Sequence, residues 1–247
     1  MTKFHSYTLV LLGLILLSSC RANLAPINTP IEGDLTKEAI CQLQGLPDQR
    51  KALLKSNGMT RREFVRLSTD SAWHLTPTER QKLRDVRLSI PTPDSTTLLQ
   101  KAVAISKLKK YDENQNGGRI DGFVARAADV KHLKTLEQVY WGLRLDYEGT
   151  AWNLSDSAYA VIRFYSNQTH TLTMPICEEM QGQKEHCWPC SGGGFTASTL
   201  GKGGYPEWEF PGSFLPKEGA QIFIVDRKGH ERLHSIFRGG RWEIVDK

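Results

Sequence analysis

Apolar residues recur at helical spacing through the first part of the chain and at alternate positions through the second. Thr8–Leu17 stands apart from both. TLVLLGLILL is apolar except for Gly13, and it is too short to cross a bilayer as a stable helix. Ala22–Glu32 (ANLAPINTPIE) follows with no period and reads as a tether. Helices are then expected from Thr36 through Leu43, from Asp48 through Lys55 with a stop at Gly58, and after Thr60. Thr60–Arg–Arg–Glu63 and Thr76–Pro–Thr–Glu79 both match the capping box, and the second has proline at the first helical position. The helix it opens should run to Leu88 and halt before Pro91. A further helix after Asp94 would carry Leu98, Leu99, Val103 and Ile105 toward Leu108.

Beyond Tyr111 alternation takes over. Strands are expected at Ile120–Ala127, Ala158–Tyr165 (AYAVIRFY), Trp208–Phe210, Ala220–Val225 (AQIFIV), Arg232–Phe237 and Arg241–Val245, with one helix at Leu136–Leu143. Arg227–Lys–Gly229 and Gly239–Gly240 supply turns between the last strands. The pattern implies an α+β fold, with a helical region over 35–111 followed by a mainly antiparallel β domain over 112–247. Residues 1–19 form the apolar leader and 20–34 the tether.

The leader starts with the positive Met1–Thr2–Lys3 and closes on Leu17–Ser18–Ser19–Cys20, which resembles the lipobox of bacterial lipoprotein precursors. The resemblance implies cleavage before Cys20, a lipid on its thiol and a membrane as the chain's first partner. Arg21, where an aspartate would signal retention, implies sorting to the outer membrane, so the expected location is the cell envelope. The balance of 32 basic against 27 acidic residues is only +5, which calls for no nucleic-acid partner.

Beyond Cys20 there are four cysteines, Cys41, Cys177, Cys187 and Cys190. In an exported protein an even number reads first as disulfides. A bridge from Cys177 to Cys187 would close a polar loop, but the connectivity stays open. Zinc on Cys177, His186, Cys187 and Cys190 is the weaker reading under oxidising conditions. Asp112–Glu–Asn114–Gln–Asn116–Gly117–Gly118–Arg–Ile120–Asp121 has the oxygen side chains and glycine turn of a calcium loop. Its spacing is one residue too long, and it lacks the closing glutamate. It reads as a polar turn from helix to strand, and no metal is expected.

Three segments carry the candidate chemistry. Phe123–Val–Ala–Arg126–Ala–Ala–Asp129 sets an arginine at the end of an apolar strand. Gly194–Phe–Thr196–Ala–Ser198–Thr199 is a glycine-led hydroxyl cluster. Tyr205–Pro–Glu207–Trp–Glu209–Phe210 holds two glutamates two residues apart. In this order they resemble the Arg, Ser-Thr, Glu-x-Glu pattern of the ADP-ribosyltransferase superfamily, including its NAD-hydrolysing toxins. DGFVARAADVKHL, LRLDY, VIRF, GGGFTAS and YPEWEFPG are similar to toxin modules at the ends of large secreted bacterial proteins. The resemblance implies NAD as substrate, either for transfer of ADP-ribose or for hydrolysis. It gives Glu209 the developing ribosyl cation, Glu207 the acceptor, Arg126 the dinucleotide phosphates, and Thr196 or Ser198 the support of the site. A protein acceptor or an envelope partner follows from the same reading.

Two other classes compete. One is a non-catalytic envelope lipoprotein whose β domain binds a protein or a glycan. The other is a nuclease-type toxin relative, permitted by the basic positions Arg61, Arg62, Arg80 and Arg84. The enzymatic reading requires Arg126, the hydroxyl cluster and the glutamates to meet in one cleft.

Overall fold

The computed structural model describes residues 35–182, 191–196 and 204–245. The lipobox with Cys20, the tether, Ser198, Cys187 and Cys190 lie outside these residues.

The N-terminal helices form where their caps are written. They are α1 (Lys37–Cys41), α2 (Leu46–Ser56), α3 (Arg61–Ser68) and α4 (Pro77–Leu88). Thr36, Thr60 and Thr76 each accept a backbone N–H in the first turn of α1, α3 and α4, as their positions predict. In α4 the Glu79 carboxylate returns a bond to the Thr76 N–H at 2.9 Å, completing the capping box. α2 starts earlier than expected, because Gly45 is its N-cap and Asp48 lies inside the first turn, accepting the Gly45 N–H at 2.9 Å. Only glycine fits at position 45: a Cβ there would stand 2.2 Å from the Ala128 carbonyl oxygen.

Among the described residues seven strands make one antiparallel sheet in the order β4-β2-β1-β3-β5-β6-β7. They are β1 (Leu99–Ala104), β2 (Ile120–Arg126), β3 (Ala158–Phe164), β4 (Trp208–Phe214), β5 (Gln221–Asp226), β6 (Glu231–Arg238) and β7 (Arg241–Ile244). Among the described residues three short α-helices interrupt the series: α5 (Lys109–Asp112), α6 (Ala127–Val130) and α7 (Leu136–Gly142). The α+β class is as expected. The helix expected after Asp94 is not formed. Asp94 accepts bonds from Thr96 and Thr97 in a tight turn, and Leu99–Ala104 is a central strand paired along its length with β3. Ladder pairing on β3 and burial of Leu99 and Val103 outweigh a local helical spacing. β4 runs past Pro211 to Phe214, longer than the expected Trp208–Phe210. It is the sheet's edge strand, where a missing N–H leaves no ladder bond unmade.

The sheet is covered on both faces. On one, Leu54, Phe64, Leu67, Leu83 and Val86 from α2, α3 and α4 pack on Leu99, Ile120, Val124, Ile162, Trp208 and Phe237. On the other, Leu136 and Val139 of α7 pack on Tyr159, Val161 and Val225. Strand alternation explains the split, since Val161 and Ile162 are neighbours in sequence yet belong to different layers.

The polar turn after α5 is a clasp on the end of the sheet. Asn114 accepts the Trp242 N–H at 2.7 Å and donates to the Trp242 carbonyl at 3.1 Å, while the Trp242 indole donates to the Gly118 carbonyl at 2.9 Å. Asp112 shares a 2.8 Å bond with His234, and Asp121 pairs with Lys110. The turn's oxygens thus serve β6, β7 and a lysine. Among the described residues, no group of His, Cys, Asp or Glu side chains is arranged to hold a metal ion. Cys41 is exposed and Cys177 buried, and the two are not joined to each other.

Candidate functional site

The pairing of β4 with β2 sets the direction of each candidate side chain. Val124 stands opposite Trp208, and Phe123 opposite Glu209. Directly paired residues project to the same face, and alternate residues of one strand share a face. Trp208 and Val124 are in the layer beneath α2, α3 and α4. Phe123, Ala125, Glu207 and Glu209 therefore face the other way, toward α7.

On that face a cleft of about 280 Å³ opens between the sheet and the loop leaving α7. Ala125, Phe123 and Glu207 come from β2 and the approach to β4, Gln100 and Ala102 from β1, and Val130 from α6. Leu143, Arg144, Leu145, Tyr147 and Trp152 form the opposing wall, with Thr196 beside them. Lys101 joins the lining where β2 parts from β1. The two strands are in register only at Leu99↔Arg126 and Gln100↔Ala125, and the ladder with β4 slips between Asp121 and Phe123. The cleft is mainly apolar with a few converging charges, the usual composition of a small-ligand site.

Thr196 is buried and fixed. Its hydroxyl donates to the Gly142 carbonyl at 2.8 Å and accepts the Tyr205 N–H at 3.2 Å, tying the 191–196 segment to the end of α7. Arg87 supports the same region from the far side of the sheet. It is fully buried, with its guanidinium 4.5 Å from the Trp208 ring centre, and it donates to the carbonyls of Gly194 and Glu207 at 2.8 and 2.9 Å. Gly194 permits this approach, since a Cβ there would lie 2.9 Å from Arg87 Nε and φ is +73°.

Two cleft residues titrate away from their ordinary ranges. Burial pushes the Glu207 carboxyl up to about 7; the charge of Glu209 adds to the rise, while Arg87 and Arg144 oppose it. Burial pulls the Lys101 ammonium down to about 8; neighbouring Lys110 acts the same way and Asp121 opposes it. The register of β1 sets Lys101 opposite Ile162, on the face of Leu99, so its side chain leaves the strand on the side away from Glu207.

Of the residues named from sequence, the structure brings Thr196 and Glu207 to the cleft, with Glu209 on the same face. Glu209 is half-buried, and its backbone is paired with Thr173, whose carbonyl and N–H meet it at 2.9 Å. Glu207, not Glu209, is the carboxylate that lines the cleft. Arg126, to which the resemblance gave the dinucleotide phosphates, lies outside the cleft. It is level with Leu99 on the opposite face and its fork is closed on buried Asp129, with bonds of 2.7 and 2.9 Å. The strand period explains this: Arg126 is one residue beyond Ala125, so its side chain leaves the sheet on the other side.

Arg144, Tyr147, Trp152 and Lys101 had no role assigned from sequence. Four of the wall's residues lie in the phrase LRLDY, Leu143–Tyr147. Comparison of the chain with protein-family models, curated proteins and solved structures gave no match.

Proposed function

We propose that this is an exported lipoprotein, lipidated at Cys20 and held at the cell envelope, whose cleft acts on NAD. In this reading Glu207 stabilises the ribosyl cation as the nicotinamide bond breaks. The observation that carries it is the Glu207 carboxyl, buried in the cleft and pushed up to about 7. A carboxylate kept from water is strengthened electrostatically wherever positive charge develops beside it. The nicotinamide of NAD is itself cationic, so its arrival would favour the ionised form. Phe123, Tyr147 and Trp152 offer ring surfaces to a planar base. A cleft of about 280 Å³ suits one ring-and-sugar unit, with the rest of the dinucleotide lying outside.

The test is nicotinamide release from NAD by the purified chain, with Glu207→Gln as the control. Release from the wild type that falls at least a hundredfold in Glu207→Gln supports the reading. No release at high protein concentration, in the presence of candidate acceptor proteins as well as without them, overturns it. Labelling of the wild type but not of Cys20→Ser with radioactive fatty acid tests the anchor.

One observation favours a second reading, a non-catalytic lipoprotein that binds its partner through the same cleft. The Arg126 guanidinium, given the dinucleotide phosphates by the resemblance, is bonded to Asp129 on the other face of the sheet, which supports a reading without catalysis. Saturable binding of NAD with no product would mark that case.

A further inference from the structure

Two helices of this protein end in the same way with different residues at the decisive position. α2 finishes at Ser56 with Asn57 as its cap; Gly58 follows at φ +61°, and the Met59 N–H reaches back to the Leu54 carbonyl at 2.9 Å. α7 finishes at Gly142 with Leu143 as its cap; Arg144 follows at φ +52°, and the Leu145 N–H reaches back to the Tyr140 carbonyl at 2.9 Å. Both are Schellman endings, which place the residue after the cap in the left-handed region and favour glycine there. Gly58 meets that preference and Arg144 does not. An arginine carries a Cβ and a long side chain into backbone space that suits neither. A strained residue of this kind points to a role for its side chain.

The side chain of Arg144 belongs to the cleft. It lines the cavity beside Thr196 and Glu207, and its charge acts on the Glu207 carboxyl. The α7 ending aims it there, because Thr196 holds the Gly142 carbonyl at 2.8 Å and so fixes the last turn against the 191–196 segment. A guanidinium presents a planar fork that matches phosphoryl and carboxylate oxygens.

We infer that Arg144 is the ligand-anchoring cation of the cleft, taking the phosphoryl oxygens of a phosphate-bearing ligand in the role that the resemblance gave to Arg126. The identification of the anion as phosphate rests on the NAD reading. The anchoring role rests on the left-handed arginine at a position built for glycine.

The experiment follows from that mismatch. The full chain, purified in detergent, is titrated calorimetrically with ADP-ribose and with adenosine, which lacks the phosphates. Wild type should bind ADP-ribose at least tenfold more tightly than adenosine. Arg144→Gly should erase that margin while its melting temperature stays level or rises by a few degrees, because glycine suits the backbone. Arg144→Lys should keep part of the margin. Three results overturn the inference: no preference for ADP-ribose in the wild type, an undiminished preference in Arg144→Gly, or a fall of more than about 5 °C in that variant's melting temperature, which makes Arg144 structural. Nicotinamide release separates this from the reading it rests on. Release by both wild type and Arg144→Gly at equal KM keeps the NAD chemistry and removes the Arg144 role. An Arg144-dependent preference without any release keeps the anchor and removes the chemistry.

Discussion

The Arg126 guanidinium is closed on the Asp129 carboxylate by bonds of 2.7 and 2.9 Å, on the face of the sheet opposite Glu207. Asp129 is fully buried and also accepts the Leu46 N–H at 2.7 Å, so the pair joins β2, α6 and the start of α2. The guanidinium lies 5.6 Å from the ring centre of Trp208, which also meets Arg87. This is a structural knot, with its charges compensated inside it.

That relationship predicts a stability effect without a specific loss of function. Asp129→Asn leaves the partly buried Arg126 guanidinium facing a neutral amide and should cost about 3 kcal/mol, read from chemical denaturation. Arg126→Lys keeps the charge but loses the fork and should cost about 1 kcal/mol. Turnover or ligand affinity per folded molecule should be unchanged in Arg126→Lys. A tenfold loss of either at an unchanged melting temperature would return Arg126 to the site.

Glu207 predicts a pH dependence of opposite sign to that of a salt-bridged carboxylate. Its folded pKa, about 7, lies above the ordinary 4.5, so between these values the folded state holds a proton that the unfolded state has released. The group's effect on stability is constant below 4.5, turns increasingly unfavourable as pH rises toward 7, and levels off above it. The full change is on the order of 3 kcal/mol. Denaturation of the wild type at pH 5 and pH 8, set against Glu207→Gln, isolates this change. The variant should be the more stable protein at pH 8 and should lack the slope.

Asn114 tests the clasp. Asn114→Ala removes both bonds to the Trp242 backbone and leaves an alanine at φ +49°, for a loss of about 2 kcal/mol. Asn114→Gly should recover part of that loss by relieving the backbone. Thermal melts with calcium and with a chelator should coincide for the wild type. A rise of several degrees with calcium would mean that the turn binds the ion.

Much of the fold was legible because its signals are local. Thr36, Thr60 and Thr76 cap the helices they precede, and the strands from Ala158 onward, β4 apart, lie within a residue or two of their expected bounds. Asp94 and Leu98–Leu108 misled for a definable reason. The spacing of Leu98, Leu99, Val103 and Ile105 fits one helix face, and nothing within the segment reports that β3 waits to pair with it across more than fifty intervening residues. β4 was cut short at Pro211 because a proline's tolerance depends on whether the strand lies at an edge, and edge position is a property of the whole sheet.

The site divides along the same line. The spacing of Glu207 and Glu209 sets both on one face, since the two-residue period of extended chain is intrinsic to its backbone. That Arg126 and Glu207 leave the sheet on opposite sides was decided by the register of β2 against β4, with Val124 opposite Trp208. Arg144 was hidden because its significance lies in a dihedral angle, and no residue type announces that.

What the sequence determined by itself is the set of elements whose hydrogen-bond partners lie a few residues away: caps, turns, strand period and the two glutamates on one face. The tertiary structure decided which strand lies centrally, which face each charge enters, and which arginine meets the cleft. Those outcomes depend on contacts between segments far apart in the chain, where burial and ladder pairing outweigh local preference.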